Sequence, residues 1–237
     1  MKKICLWSCP RNISTALMYS FRSRPDSIVF DEPLYAHYLN VSDVNHPGKE
    51  EVLESQEVNG NKVIKDVILK EYTNHSFFKL MTHFLVDIDK SFLKKVTNII
   101  FIRDPKEIIH SYSKVIKSPK LSDIGIKKQV ELYNYLNKSN ITPIVLDSKY
   151  LLINPELILR KLSNLLDIPY FDEMLGWESG PKKEDGVWAK YWYNNVHKST
   201  SFLPYKINNI ELGKDLSILN DECLPFYNFL TEKSIKI

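Results

Sequence analysis

Cysteine is scarce: Cys5, Cys9 and Cys223 are odd in number and irregularly spaced in a chain of 237 residues. That excludes a disulfide framework and fits reduced thiols in a reducing compartment. No stretch approaches the ~20 consecutive apolar residues of a membrane helix. The apolar run after Met1-Lys2-Lys3 is too short for a secretory signal. The expectation is a cytoplasmic protein without a membrane partner, whose sequons at Asn12, Asn40, Asn74, Asn137 and Asn140 are incidental. Charge of one sign is missing too. Thirty-two Lys and Arg face 29 Asp and Glu, interspersed, for a net +3, which leaves no electrostatic footprint for nucleic acid. His37, His46, His75, His110 and His197 have no metal-ligand spacing, so no metal is expected. Repeats, low-complexity tracts and long linkers are absent, and 43% hydrophobic residues suffice for one core. A single domain over residues 1–237 follows.

What is present is alternation of apolar strands with amphipathic helices. The pattern predicts strands near 3–8, 27–31, 76–82, 98–103 and 142–147. It predicts helices near 13–24, 48–56, 60–71, 87–95, 105–117, 121–138, 155–166 and 215–233. Such alternation implies an α/β fold in three layers, with a mostly parallel central sheet flanked by helices.

Two strand ends carry the chemistry. The first is Trp7-Ser8-Cys9-Pro10-Arg11-Asn12-Ile13-Ser14-Thr15-Ala16, between the strand Ile4–Trp7 and a helix marked by Ile13, Leu17 and Phe21. A strand, a tight loop with one cation and two hydroxyls, and a helix start make an anion-binding construction, because free N–H groups and the helix dipole face the ligand. An ordinary turn capped by Asn12 or Ser14 is the competing reading. The loop lacks the Gly-Lys-Ser/Thr ending of a Walker A element. The second strand end is Ile99–Arg103 followed by Asp104-Pro105-Lys106-Glu107. Asp104 reads as an N-cap, Pro105 as the first helical residue and Glu107 as the capping-box partner. Arg103 then sits at a strand's carboxyl end, where open α/β sheets bind ligands. Ser111 lies two turns into the next helix, where both can meet one phosphate.

With these motifs the chain resembles the sulfotransferases that use 3′-phosphoadenosine 5′-phosphosulfate (PAPS). Pro10-Arg11-Asn12-Ile13-Ser14-Thr15 is similar to their phosphosulfate loop, with Asn12 and Ile13 departing from it. Arg103 and Ser111 have the spacing of their 3′-phosphate pair. Gly180–Trp188 resembles their basic, Gly-rich C-terminal loop. The resemblance spans roughly residues 1–202. It implies a P-loop NTPase-like fold and PAPS as sulfuryl donor, held by Arg11, Asn12, Ile13, Ser14, Thr15, Arg103, Ser111, Lys182, Lys183 and Gly186.

Sulfuryl transfer needs cations at the leaving oxygen and a base for the acceptor hydroxyl. Arg11 supplies the cation and, being an arginine, acts by charge alone. Glu32, in the strand-end pair Asp31-Glu32-Pro33, resembles the Glu-Pro of carbohydrate-type members and ranks first as base. His83 in Thr82-His83 resembles the catalytic His of the small-phenol members and ranks second. Lys79 is placed to touch the leaving phosphate. Each has a bland alternative: a solvated acidic turn, or a packed core imidazole. The acceptor reads as a carbohydrate or small metabolite. A P-loop-like nucleotide kinase and a non-catalytic nucleotide binder on a degenerate sulfotransferase fold are the competing functions.

Overall fold

A computed structural model describes residues 1–206 and 209–237. Five strands form one parallel sheet: β1 (Lys3–Ser8), β2 (Ser27–Asp31), β3 (His75–Met81), β4 (Thr97–Ile102) and β5 (Ile144–Asp147), in the order β2-β3-β1-β4-β5. The sheet is flanked by helices, as the alternation implied. Strand β1 is central, so its residues are buried from both sides. Ile4 and Leu6 join one core cluster with Leu17, Phe77, Ile99 and Leu159. Cys5 and Trp7 join the other with Phe78, Ile100, Ile109 and Tyr227. This is the period-two alternation of a strand buried on both faces.

The helices are α1 (Ser14–Arg22), α2 (Tyr35–Val41), α3 (Lys49–Ser55), α4 (Gly60–Val63), α5 (Pro105–Tyr112), α6 (Leu121–Ile124), α7 (Ile126–Lys138), α8 (Ser148–Ile153), α9 (Pro155–Leu166), α10 (Ala189–Trp192), α11 (Asn194–His197) and α12 (Lys214–Thr231). Several differ from the sequence expectation for identifiable reasons. The helix expected over 60–71 is α4 followed by a π turn at Ile64–Ile68, closed by Leu69 N–H donating to the Ile64 carbonyl at 2.8 Å. That over 87–95 is a 3-10 segment, Lys90–Lys95, capped by Asp89. The one over 121–138 breaks at Gly125, whose φ of +78° ends α6 before α7 begins. The segments α2, α8, α10 and α11 lie outside the expected helices; none has a long apolar period to reveal it.

The chain leaves β1 toward β2 on one side of the sheet and leaves β4 toward β5 on the other. The carboxyl ends of β1 and β4 therefore flank the switch point of the sheet, where the two connections diverge and a crevice opens. Both motifs of the sequence lie there.

Candidate functional site

The β1–α1 loop is built from strained backbone. Arg11 and Ile13 take positive φ of 59° and 41°. For a β-branched residue this conformation is costly and persists only when the surroundings enforce it. Asn12 is the enforcer. Its buried side-chain amide donates to the Phe101 carbonyl of β4 and to the Cys9 sulfur at 3.7 Å, tying the loop to the neighbouring strand. The residue that departs from the family loop thus braces it from beneath. Ile13 occupies the N-cap position of α1, and no side chain caps the helix. The capped-turn reading fails here, because Asn12 is turned into the core and Ser14 lies inside the helix.

Arg11 and Arg103 meet above this loop. Arg103 Nη1 donates to the Arg11 carbonyl at 2.6 Å, and Arg11 Nε donates to Ser111 Oγ at 3.0 Å. Arg11 Nη1 reaches the Trp192 carbonyl at 3.3 Å. Burial, then the neighbouring Arg103, hold Arg11 below its usual range. Two guanidiniums beside an uncapped helix start form a pocket short of negative charge. One carboxylate answers them in part: Glu107 Oε2 pairs with Arg103 Nε at 2.7 Å. Glu107 is therefore not the capping-box partner expected from the sequence. Asp104 alone caps α5, accepting from Lys106 N–H with Pro105 at the first position.

These residues line a cavity of ≈ 550 Å³, within the usual size of a ligand site. Arg11, Asn12, Ile13, Ser14, Thr15, Arg103 and Ser111 are brought together in its wall, with Glu32, Lys79 and His83. Lys182, Lys183 and Gly186 are not. Lys182 Nζ donates to the carbonyls of Ser179 and Gly180, and its backbone N–H goes to Asp185. Lys183 is exposed beside Glu184. Gly186 N–H donates to Asp31 Oδ2 at 3.2 Å. The wall expected from them is supplied instead by a later segment that includes Tyr205 and Lys206. Nothing in its sequence marked it; it has neither helical period nor clustered charge.

Gly186 has a packing role. A Cβ there would lie 2.1 Å from the Trp188 ring. That ring is 2% exposed, set edge-on to Tyr35 and bonded through Nε1 to Tyr193 Oη, so it cannot yield cheaply. Gly186→Ala is expected to cost about 1–3 kcal/mol, read as a lower urea midpoint at unchanged slope.

Glu32 sits at the carboxyl end of β2 with a φ of +43°, its N–H donating to the Lys79 carbonyl at 2.8 Å. Lys79 is fully buried and bonded to Asp31 Oδ1 at 2.8 Å, Glu32 Oε1 at 2.6 Å and the Tyr193 hydroxyl. It is committed to this network, which differs from the phosphate contact anticipated for it. Tyr193 also donates to Asp31 at 2.7 Å, and so docks the segment after Gly186 onto the sheet. Asp31 caps no helix. One lysine shared by two carboxylates leaves Glu32 poorly compensated. Burial lifts its carboxyl most, the charge of Asp31 adds to this and Lys79 opposes it, leaving a value of about 7.

His83 follows β3 and stacks edge-on against Tyr38 and Phe84, both at 4.9 Å. Burial first, then His46, lower it to about 3, so it stays uncharged at neutral pH. Its Nδ1 is buried without a partner. His37, by contrast, is satisfied on both ring nitrogens by backbone groups of Val58, Gly60 and Val86. Among the described residues no group of three or more His, Cys, Asp or Glu is arranged to hold a metal, and no helix is long and apolar enough to cross a membrane.

A family profile described as a sulfotransferase domain matches residues 1–234. Two curated relatives from Arabidopsis thaliana, branched-chain-amino-acid aminotransferase-like proteins 2 and 1, are each 38% identical, over 97% and 94% of this chain. The chain spans about two fifths of their length, 41% and 40%. Among solved structures, the sulfotransferase domain from the curacin biosynthetic pathway aligns at a TM-score of 0.56 and 15% identity, covering 93% of this chain and 96% of that one. A sulfotransferase from Alicyclobacillus acidocaldarius aligns at 0.56 and 12% identity, covering 98% and 95%. At these identities the structures speak to the fold alone, and they agree with the parallel α/β sheet described above. Matched along almost its whole length, the chain belongs to the sulfotransferase domain family.

Proposed function

We propose that the protein moves a sulfuryl group from PAPS to an acceptor hydroxyl. The observation that carries this reading is the pairing of Arg11 and Arg103, with Ser111, above an uncapped helix start at the switch point of the sheet. In this reading Ser14, Thr15 and the α1 amides receive the 5′-phosphosulfate, and Arg103 with Ser111 receives the 3′-phosphate. The acceptor oxygen bonds to sulfur as the sulfur–oxygen bond to the 5′-phosphate breaks. The acceptor proton passes to Glu32, and adenosine 3′,5′-bisphosphate leaves. Arg11 offsets the charge that builds on the leaving oxygen; removing one such donor from a dry site typically costs about 10²–10³ in rate. Lys79 holds Glu32 in place. The three cysteines, all buried and unpaired, support a reducing, cytoplasmic setting.

Turnover is read as formation of adenosine 3′,5′-bisphosphate from PAPS in the presence of mixed hydroxyl acceptors. Absence of product with every acceptor would count against the reading. The pH dependence adds a second check. Glu32 must be deprotonated to act, so kcat/KM is expected to rise with pH through about 7, the value at which its carboxyl loses the proton. A rate that is flat from pH 6 to 8 would remove Glu32 from that role.

A kinase reading is less well supported. The loop presents Arg11 where a phosphate-cradling lysine would be needed, and Asn12 is spent on Phe101. A non-catalytic binder shares the nucleotide pocket, and the Glu32 variant discussed below separates it.

A further inference from the structure

One cation, Lys79, serves two carboxylates, and Tyr193 closes their network. Lys79 Nζ has three protons and three partners: Asp31 Oδ1 at 2.8 Å, Glu32 Oε1 at 2.6 Å and Tyr193 Oη. Tyr193 stands between α10 and α11 and is buried. Its oxygen accepts from Lys79 and from Trp188 Nε1 at 3.1 Å. Its single proton is left for Asp31, whose two oxygens lie at 2.9 and 2.7 Å. Burial first, then Asp31 and Glu32, push the Tyr193 hydroxyl well above its usual value, so the phenol stays a donor. Burial works against the charge of Lys79, but Asp31 and Glu32 outweigh it.

The two carboxylates are not served alike. Asp31 receives Lys79, the Tyr193 hydroxyl and the Gly186 N–H. Among the described residues the Glu32 carboxylate receives Lys79 alone. Tyr35 from α2 also faces Glu32, and Arg11, His46 and His83 line the same cavity from other elements. Two carboxylates held close together resist ionisation. Each hydrogen bond that Asp31 takes from elsewhere reduces its claim on Lys79 and leaves that cation for Glu32.

Resting on the proposed sulfuryl transfer, in which Glu32 is the base, we infer that Tyr193 is a positioning residue: by giving its proton to Asp31 it frees Lys79 for Glu32, and so sets the pH at which Glu32 takes the acceptor's proton. The same turn supplies the Trp192 carbonyl that accepts from Arg11 at 3.3 Å. The segment after Gly186 thus reaches both the cation and the base.

The test titrates the Glu32 carboxyl by NMR in the intact chain, isotope-labelled at its glutamate carboxyls. The Glu32 signal is the one lost in Glu32→Gln. Tyr193→Phe keeps the ring that lies 4.8 Å from Lys79 Nζ and removes only the hydroxyl. The expected result is an upward move of the Glu32 titration by about one pH unit, the worth of part of a charge-assisted hydrogen bond, with the same move in the pH profile of kcat/KM. Asp31→Asn removes the competing charge and is expected to move the titration down by at least about one unit. In the double variant the Tyr193 effect vanishes, leaving the titration within about 0.3 of a unit of Asp31→Asn alone. A titration that Tyr193→Phe leaves in place or lowers overturns the inference, as does a Tyr193 effect that persists without the Asp31 charge. Should Tyr193→Phe fail to fold, Asp31→Asn decides: no downward move overturns the inference. Absence of turnover in the unaltered protein overturns the sulfuryl-transfer reading instead; the carboxyl titration, which needs no substrate, still reports on Tyr193.

Discussion

An Arg103→Ala variant loses affinity for adenosine 3′,5′-bisphosphate by at least about 100-fold, while its affinity for adenosine 5′-phosphate falls far less. The magnitude follows from the contacts at stake. A hydrogen bond to a charged partner is worth roughly 1.5–3 kcal/mol, and a guanidinium offers a phosphate two of them. Each 1.4 kcal/mol is tenfold in affinity. Arg103 also holds the phosphate loop by donating to the Arg11 carbonyl at 2.6 Å, so some loss for the monophosphate is expected as well. Discrimination between the two nucleotides is therefore the diagnostic quantity. Isothermal titration of both ligands against both proteins measures it. Equal losses for the two nucleotides would show that Arg103 only braces the loop.

Replacing Glu32 by Gln lowers kcat by about 10²–10⁴, the usual contribution of a positioned general base, and leaves bisphosphate affinity within about threefold. Gln keeps the volume and an oxygen for Lys79, and Asp31 Oδ1 at 2.8 Å still neutralises that lysine. The fold is thus expected to survive. The rise in rate through pH 7 should disappear with the carboxyl. His83→Gln makes the contrast: an imidazole held near 3 takes up a proton poorly at neutral pH, so its loss is expected to cost under about tenfold in kcat. If His83→Gln proved the more damaging, proton removal would belong to the imidazole and Glu32 would be the partner that anchors Lys79. A pure nucleotide binder would show no turnover for either substitution to reduce.

Much of the site is legible in the sequence because it hangs on strand ends. An apolar run that stops at Arg103, and one that runs into the tight loop carrying Arg11, name the places of both cations in a parallel sheet. Their meeting above one crevice follows from β1 and β4 being neighbours, which no local pattern encodes. What escaped was tertiary. Asn12 reads as a cap and is a brace, because Phe101 presents a carbonyl beneath the loop. Lys79 was expected to face the donor and is held instead by Asp31, Glu32 and Tyr193, the last of them 114 residues away in sequence. The Gly180–Trp188 segment carried the charge and glycine that a cofactor loop would need, yet Lys182 is bonded to neighbouring carbonyls and Lys183 lies exposed beside Glu184, outside the cavity wall. Tyr205 and Lys206 reach the cavity from irregular backbone, where neither period nor motif gives warning.

Strain points the same way as chemistry. Arg11, Ile13 and Glu32 are three of the non-glycine residues held at positive φ, and all three line the cavity. Such conformations cost of order 1–3 kcal/mol each and are retained where position matters more than stability.

The most direct test of the account is a calorimetric titration of the protein with adenosine 3′,5′-bisphosphate, set beside adenosine 5′-phosphate and ATP. The account predicts one site that binds the bisphosphate at least tenfold tighter than either competitor, because the proposal assigns the 3′-phosphate to Arg103 and Ser111. Equal binding of ATP, or no binding of the bisphosphate, would contradict it.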